Sequence, residues 1–401
     1  MARCAVRIKI KIKIKNSSKF SSARLRFTLM TRILLLLLAS FAMPAFAVDF
    51  RLATFSADVT IPLNHRCMGV LPTKSKKIVD PLHAHGFVLL GQDQPIVLCA
   101  VDWCEIRNGA YDQWRDALAQ AAGTTRERVL VTSLHQHDAP VVDSGAAKLL
   151  ESVGLKNELY DVEFHDRTVK RVAQALKDSL PHAAFVTHIG MGKAEVEKIA
   201  SNRRVVYPNG RVSYHRGSRS GSDPFHRDSA VGLIDPHLRT LSFWRGDEAI
   251  LAVHSYATHP MSYYGRGEVS SDFVGLARQR RQRDDASIRQ IYVSGCSGDV
   301  TAGKYNDGSP ESRVALTDRL YQAMVAAWKN TRKVPLKQAV FRNTKLDLPY
   351  YKHASLEEGM LQLALKNESR TVEKRILAAM GLSSRQRVAS GQKIDVPWWR
   401  F

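Results

Sequence analysis

The apolar run Val129-Leu130-Val131-Thr132-Ser133 reads as a buried strand, and it ends in Leu134-His135-Gln136-His137-Asp138-Ala139-Pro140. Side chains two apart on a strand share a face, so His135 and His137 converge on one point where the strand gives out. Any fold for this chain must set that strand in a sheet whose end opens on a polar crevice. Neutral imidazole is the commonest protein ligand for zinc. A strand-end turn with satisfied polar histidines looks the same, and the pair alone does not separate the two readings.

The 401 residues suffice for one large domain or two ordinary ones. Their apolar, aromatic and charged fractions are those of an ordinary globular protein. The formal charge of +21 is unevenly spread: ten of the 59 Lys/Arg and none of the 38 Asp/Glu fall within residues 1–47. The remaining 49 basic side chains against 38 acidic ones suit contact with anionic surfaces, a peripheral membrane contact included. No nucleic-acid-binding module is recognisable, so nucleic acid is not an expected partner. From Met30 the chain reads Met-Thr-Arg, an apolar stretch from Ile33 to Ala42, and Ala45-Phe46-Ala47. These are the charged, apolar and Ala-x-Ala regions of a signal peptide. The apolar stretch is about half the ~20 residues that a membrane-spanning helix needs. Residues 30–47 are therefore expected to be cleaved, with export to the periplasm or beyond. Residues 1–29 read as an extension from a start codon assigned too early, and 48–401 as the working domain.

Hydropathy patterning beyond the leader alternates strands with helices. Strands are expected at Gly86 to Leu90, Ile96 to Asp102, Val129 to Ser133, Ala183 to Lys193, Leu241 to Trp244, Ala249 to Tyr256 and Gln290 to Ser294. Helices are expected at Tyr111 to Ala122, stopped by Gly123, and at Glu158 to Ser179, Asp272 to Asp284 and Arg313 to Trp328. The order points to a layered α/β fold. No internal repeat is visible. Residues 201–236, rich in Arg, Ser, Gly, Asp and Pro, read as a long surface excursion able to serve as a lid. Of the cysteines past the leader, Cys99 and Cys104 flank an extended run. Five extended residues span about 16 Å, and a disulfide needs Cα atoms within about 7 Å. Cys67, Cys99, Cys104 and Cys296 are therefore read mainly as small buried hydrophobes.

Two further strand ends match the first. Tyr256-Ala257-Thr258-His259-Pro260-Met261-Ser262 carries a histidine past a strand, and Gly298-Asp299-Val300-Thr301 turns tightly past another. Polar side chains at strand ends of a layered α/β fold gather into one crevice. Singly each stretch is turn chemistry; together they place His135, His137, His259 and the Thr301 hydroxyl where metal-assisted hydrolysis needs them.

At these residues the chain resembles the N-terminal catalytic domain of the neutral/alkaline ceramidases, in a branch from environmental bacteria. The matching pieces are Ala57-Asp58-Val59-Thr60-Ile61-Pro62, the stretch Ser133 to Pro140, Thr258 to Ser262, Ser271-Asp272-Phe273-Val274-Gly275 and Gly298 to Thr301. Together they span roughly residues 52–345. The resemblance implies a four-layer αββα fold with one zinc ion at the sheet ends, and cleavage of the N-acyl bond of a ceramide or related lipid amide. It makes His135 and His259 zinc ligands and His137 the residue that meets the reacting group. It puts Thr301 in the position of an essential serine, with Asp299 a catalytic candidate in the same turn. Zinc would acidify a water and polarise the carbonyl, His137 would protonate the leaving amine, and Thr301 would bond the oxyanion. Asp138 or Asp272 would orient an imidazole, or would simply close a turn or cap a helix.

The chain departs from the family in two places. Thr301-Ala302 stands for Ser-Pro, and the segment bearing a glutamate and a tyrosine ligand is not found before Phe401, which reads as a truncation. Tyr350, Tyr351, Glu357 and Glu358 lie in that region without matching its context. Two histidines alone make a poor zinc site. The alternatives to an amide hydrolase are an impaired relative that binds a lipid or envelope surface, and a metal-dependent esterase or phosphoesterase.

Overall fold

Two separate stretches of the chain build five-stranded sheets on one plan. The structure is a computed structural model describing residues 49–91 and 93–400. The expected extension 1–29 and leader 30–47 lie outside the described residues. The first sheet uses β1 (Phe50–Asp58), β2 (His83–Leu90), β3 (Ile96–Val101), β4 (Val129–Ser133) and β5 (Ala184–Val186), in the order β4-β3-β2-β1-β5. Its helices are α1 (Asn108–Ala122), α2 (Ser144–Glu151) and α3 (Val162–Ser179). The second sheet uses β6 (His188–Glu195), β7 (His237–Arg245), β8 (Glu248–Tyr256), β9 (Arg289–Ser294) and, past the short β10 (Val300–Thr301), β11 (Arg332–Pro335). Its order is β9-β8-β7-β6-β11, with helices α4 (Asp272–Asp284) and α5 (Pro310–Lys329). In each sheet three antiparallel strands run in sequence. A helix then carries the chain to a parallel edge strand, and further helices, α2 and α3 in the first sheet and α5 in the second, return it to an antiparallel strand on the opposite edge. The sequence shows no repeat because the backbone ladder, not side-chain identity, carries this plan.

The expected strand from Ala183 to Lys193 is two strands in two sheets. β5 pairs with β1, whereas β6 pairs with β7. The break falls at Thr187, whose N–H donates to the Trp244 carbonyl (2.8 Å) and whose carbonyl accepts from Leu336 (2.9 Å). Hydropathy alternates straight through the break, so pattern alone could not show it. The helix expected from Glu158 begins later, where the Asp161 carboxylate accepts from the Phe164 N–H at 2.9 Å. Gly123 ends α1 in the left-handed conformation, φ +67°.

Apolar alternation decides the packing. Phe87, Leu89, Ile96 and Leu98 of the first sheet share one buried cluster with Ile189, Phe243, Leu251 and Ile291 of the second. Val88, Val97 and Cys99, facing the other way, pack with Trp114 and Leu118 of α1 and Val172 and Leu176 of α3. Tyr292 packs with Phe273 of α4 and with Leu316 and Leu320 of α5. The chain closes with β12 (Val340–Leu346), α6 (Glu358–Lys366), α7 (Val372–Ala389) and β13 (Ile394–Arg400), which pairs with β12. α7 lies on the first sheet's helices, where Ile376 and Ala379 are buried. A fully buried ion pair joins the two halves: Asp102, just past β3, accepts two hydrogen bonds from Arg278 of α4, at 2.6 and 2.7 Å.

Cys67, Cys99 and Cys104 are free and buried, and Cys296 is free and exposed. Residues 201–236 are not a loose flap. Ser201 and Asn202 pair with β10, and Arg216 is fully buried with its guanidinium on the backbone carbonyls of Asn202 and Ala230. No helix among the described residues is long and apolar enough to cross a membrane.

Candidate active site

His135 lies just beyond β4 in the left-handed region, φ +75°, where residues with a Cβ are uncommon. Backbone bonds on either side hold it: Leu134 donates to Val101 and His135 to Trp103, both at 2.9 Å. Its Nδ1 sits 3.0 Å from the Cys104 carbonyl and donates to it, which leaves Nε2 as the nitrogen that would bind a metal. Glu105 Oε1 lies 3.9 Å from the same Nδ1.

His259 follows β8 and is pinned by its N–H to the Val300 carbonyl (3.0 Å) and by a bridge to Thr301. The ring centroids of His135, His137 and His259 lie 4.6 to 5.4 Å apart. Nε2 of His137 is 2.9 Å from Nε2 of His259. The three residues form a group that could hold a metal ion, with one nitrogen of each within 4.8 Å of the others. Burial, then the neighbouring imidazoles and Arg203, hold His137 down to about 2 and His259 to about 3. Both rings are therefore neutral at physiological pH, the form in which imidazole binds a metal. The Nδ1 of His137 is buried without a hydrogen bond. Two neutral imidazoles whose Nε2 atoms meet at 2.9 Å beside a third ring give a set of nitrogens close enough together to converge on one ion.

The cluster opens on a cavity of about 540 Å³. Met68, Val70, Val141, Met261, Leu377 and Met380 give it apolar walls. Cys104, Glu105, Arg107, Arg203, Ser218, Arg219 and Tyr264 add its polar and ionisable groups. Thr301 is fully buried and stands behind this wall; its hydroxyl donates to Ser218 Oγ at 3.2 Å, and Ser218 is the hydroxyl that lines the cavity. Asp299 is not on the lining: its carboxylate takes the Arg204 guanidinium and lies 3.3 Å from the Asn202 amide. Neither aspartate proposed to orient an imidazole bonds to one. Asp138 accepts from the Gly267 N–H at 2.9 Å, and Asp272 from the Ser262 N–H and hydroxyl. The Cys104 carbonyl performs that task for His135. Tyr350 and Glu358 line a different cavity of about 250 Å³, Tyr351 is exposed, and Glu357 lies beside Arg385.

Six polar or ionisable lining residues escaped the sequence: Glu105, Arg107, Arg203, Ser218, Arg219 and Tyr264. Glu105 and Tyr264 follow strand ends, and that position was the one signal available for them. Nothing local marks Ser218, which a packed connection delivers. A second group, His83, His85 and Asp102, has its carboxylate taken by Arg278.

No protein-family model and no curated protein matches the chain. Solved structures do. A ceramidase complexed with C2 aligns over 75% of this chain and 47% of its own, at TM-score 0.56 and 15% identity. A neutral ceramidase from Pseudomonas aeruginosa aligns over 75% and 48%, at TM-score 0.54 and 16% identity. At such identities the likeness is one of architecture: the fold is mixed α/β and ceramidase-like. The alignment spans about half the length of those two chains.

Proposed function

We propose that this chain is an exported, zinc-dependent hydrolase that cleaves an N-acylated lipid or a related N-acyl amide. We also read its two sheets and flanking helices as a four-layer αββα arrangement with the metal at the sheet ends. The observation that carries the reading is the group of three imidazoles, His135, His137 and His259, opening on a cavity with apolar walls, in a fold shared with ceramidases. His135 and His259 would hold the ion, and His137 would be its third ligand. The sequence reading makes His137 the proton donor to the leaving amine, but an imidazole held down to about 2 is not an imidazolium at neutral pH, and its remaining N–H is a far weaker acid. Three protein ligands are the usual complement of a catalytic zinc. The ion would supply Lewis acidity, polarising the scissile carbonyl and easing deprotonation of the attacking water. The Cys104 carbonyl fixes the tautomer of His135. Ser218, set by Thr301, presents a hydroxyl to the developing oxyanion. Met68, Val70, Leu377 and Met380 offer the apolar wall an acyl chain needs and exclude water from it.

The test is metal content beside turnover of a fluorogenic N-acyl amide. One zinc per chain is expected, lost in both His135→Ala and His259→Ala, with turnover abolished by a chelator and restored by zinc. Substoichiometric zinc in the native protein, or equal zinc in His135→Ala, overturns the reading. Turnover lost on chelation excludes the surface-binding alternative, and parallel ester and phosphoester substrates separate the other hydrolases.

A further inference from the structure

We propose that the substrate of this cavity carries an anionic group, a carboxylate or a phosphate monoester, on the amine half of its scissile amide, and that Arg203 and Arg219 bind it. This deepens the hydrolase reading and rests on it for the identity of the bond cleaved. Three arginines line the cavity against one carboxylate. Arg107 is matched: its guanidinium donates to Glu105 at 2.9 Å. The charge left uncompensated belongs to Arg203 and Arg219, both from the packed connection between β6 and β7.

Arg203 is half-buried, and its Nε has no hydrogen-bond partner. The carboxylate that acts on it is Asp299, whose Oδ2 is already engaged by Arg204 and Asn202. Burying a guanidinium with unmet donors is costly, and a ligand anion removes that cost. The same cation lines one cavity with His137 and His259, which puts it beside the reacting bond. Arg219 makes no ion pair among the described residues, and its stem lies against Gly308, where a Cβ would press on it. Arg219 is exposed and lines the cavity, so its guanidinium is open to a ligand there. A planar fork of donors matches carboxylate and phosphate oxygens two at a time. The apolar wall comes from elsewhere, Met68 and Val70 from the first half and Leu377 and Met380 from α7. The site thus draws its acyl-binding and anion-binding surfaces from different parts of the chain. A neutral amine half would leave both guanidinium groups unanswered.

Calorimetric binding to the full chain tests this apart from turnover, with three probes of one chain length: N-dodecanoylglycine, the O-phosphate of N-dodecanoylethanolamine, and neutral N-dodecanoylethanolamine. At least one anionic probe is expected to bind about tenfold or more tightly than the neutral one. The preference should shrink in 0.5 M salt, as charge screening requires, and fall to about twofold or less in Arg219→Gln. That exposed position gives a variant expected to fold. The tighter anionic probe tells carboxylate from phosphate. Equal binding of all three, or a preference unchanged in both Arg219→Gln and Arg203→Gln, overturns the proposal. Preferential anion binding with no hydrolysis of any probe sinks the amide hydrolase reading and leaves the anion site standing.

Discussion

The two halves share a strand plan yet divide the work of the site unequally. In the first half the edge strand β4 runs straight into His135 and His137, two groups from one short stretch. In the second half the corresponding strand, β9, leads only to the turn that sets Thr301. There the third imidazole, His259, comes from the connection before α4 instead. The connection between the first two strands is also uneven, running over 59–82 in the first half and 196–236 in the second. The longer one brings in Arg203, Ser218 and Arg219. A common backbone plan thus brings equivalent loops together at one end, and loop content decides that the first half supplies two of the three imidazoles and the second two of the three arginines. The crevice needs both halves, so whatever ties them together matters to the site.

The tie to break first is Asp102–Arg278. Asp102→Ala leaves a buried guanidinium without its carboxylate, and urea unfolding at pH 7 should show a loss of about 3–5 kcal/mol. A loss under about 1 kcal/mol would mean the apolar cluster between the sheets holds the halves together without the pair.

The next variant asks whether the imidazoles of the two halves act as one unit. His137→Ala should lose zinc together with at least about 100-fold of turnover, about 2.7 kcal/mol in the barrier. Zinc retained at full stoichiometry with turnover lost would return His137 to the proton-donor role and leave the ligands split one to each half.

A third measurement compares core chemistry. His254 of β8 is fully buried between Thr240 and Gln290, and burial holds it down to about 4. Its folded value lies below its unfolded one, so the stability it confers is present above pH 6.5 and falls as the pH drops toward 4. At pH 5 the unfolded chain binds a proton that the folded chain refuses. The loss of stability between pH 7 and pH 5 should therefore be smaller in His254→Gln than in the native chain by about 2 kcal/mol. An unchanged difference would show that His254 takes up its proton without unfolding.

The smallest expected effect concerns equivalent helices. Asp161 caps α3 and Ser309 caps α5. Alanine at either position should cost about 1 kcal/mol. A much larger cost at one of them would show that the two halves do not share their stability evenly.

Much of the fold was legible because hydropathy period is a local property. β4 and α4 fall where their patterns put them, and α1 ends at the glycine that can turn left-handed. The break at Thr187 was not legible, since a chain passing from one sheet to another keeps its alternation. The site divides in the same way. His135, His137 and His259 are strand-end histidines and announce themselves. Asp138 and Asp272 looked equally suited to orient a ring, but their carboxylates are consumed by backbone and serine donors. Thr301 reaches the cavity only through Ser218.

The sequence by itself determined that His135 and His137 stand close together, because only one residue separates them at a strand's end; the strand stops at Ser133 and His135 turns left-handed, so the pair meets in the turn and not by strand alternation. It also determined that residues 201–236 would form a long polar excursion. Only the tertiary structure decided that Nε2 of His137 and Nε2 of His259 meet at 2.9 Å, that a backbone carbonyl accepts from Nδ1 of His135, and that Arg203 lines the same cavity as the rings with its Nε unpartnered. Those outcomes depend on how two sheets and their loops pack, and on the burial that keeps the imidazoles neutral. Hydrophobic packing between segments far apart in the chain fixes such contacts, and no short stretch of sequence contains them.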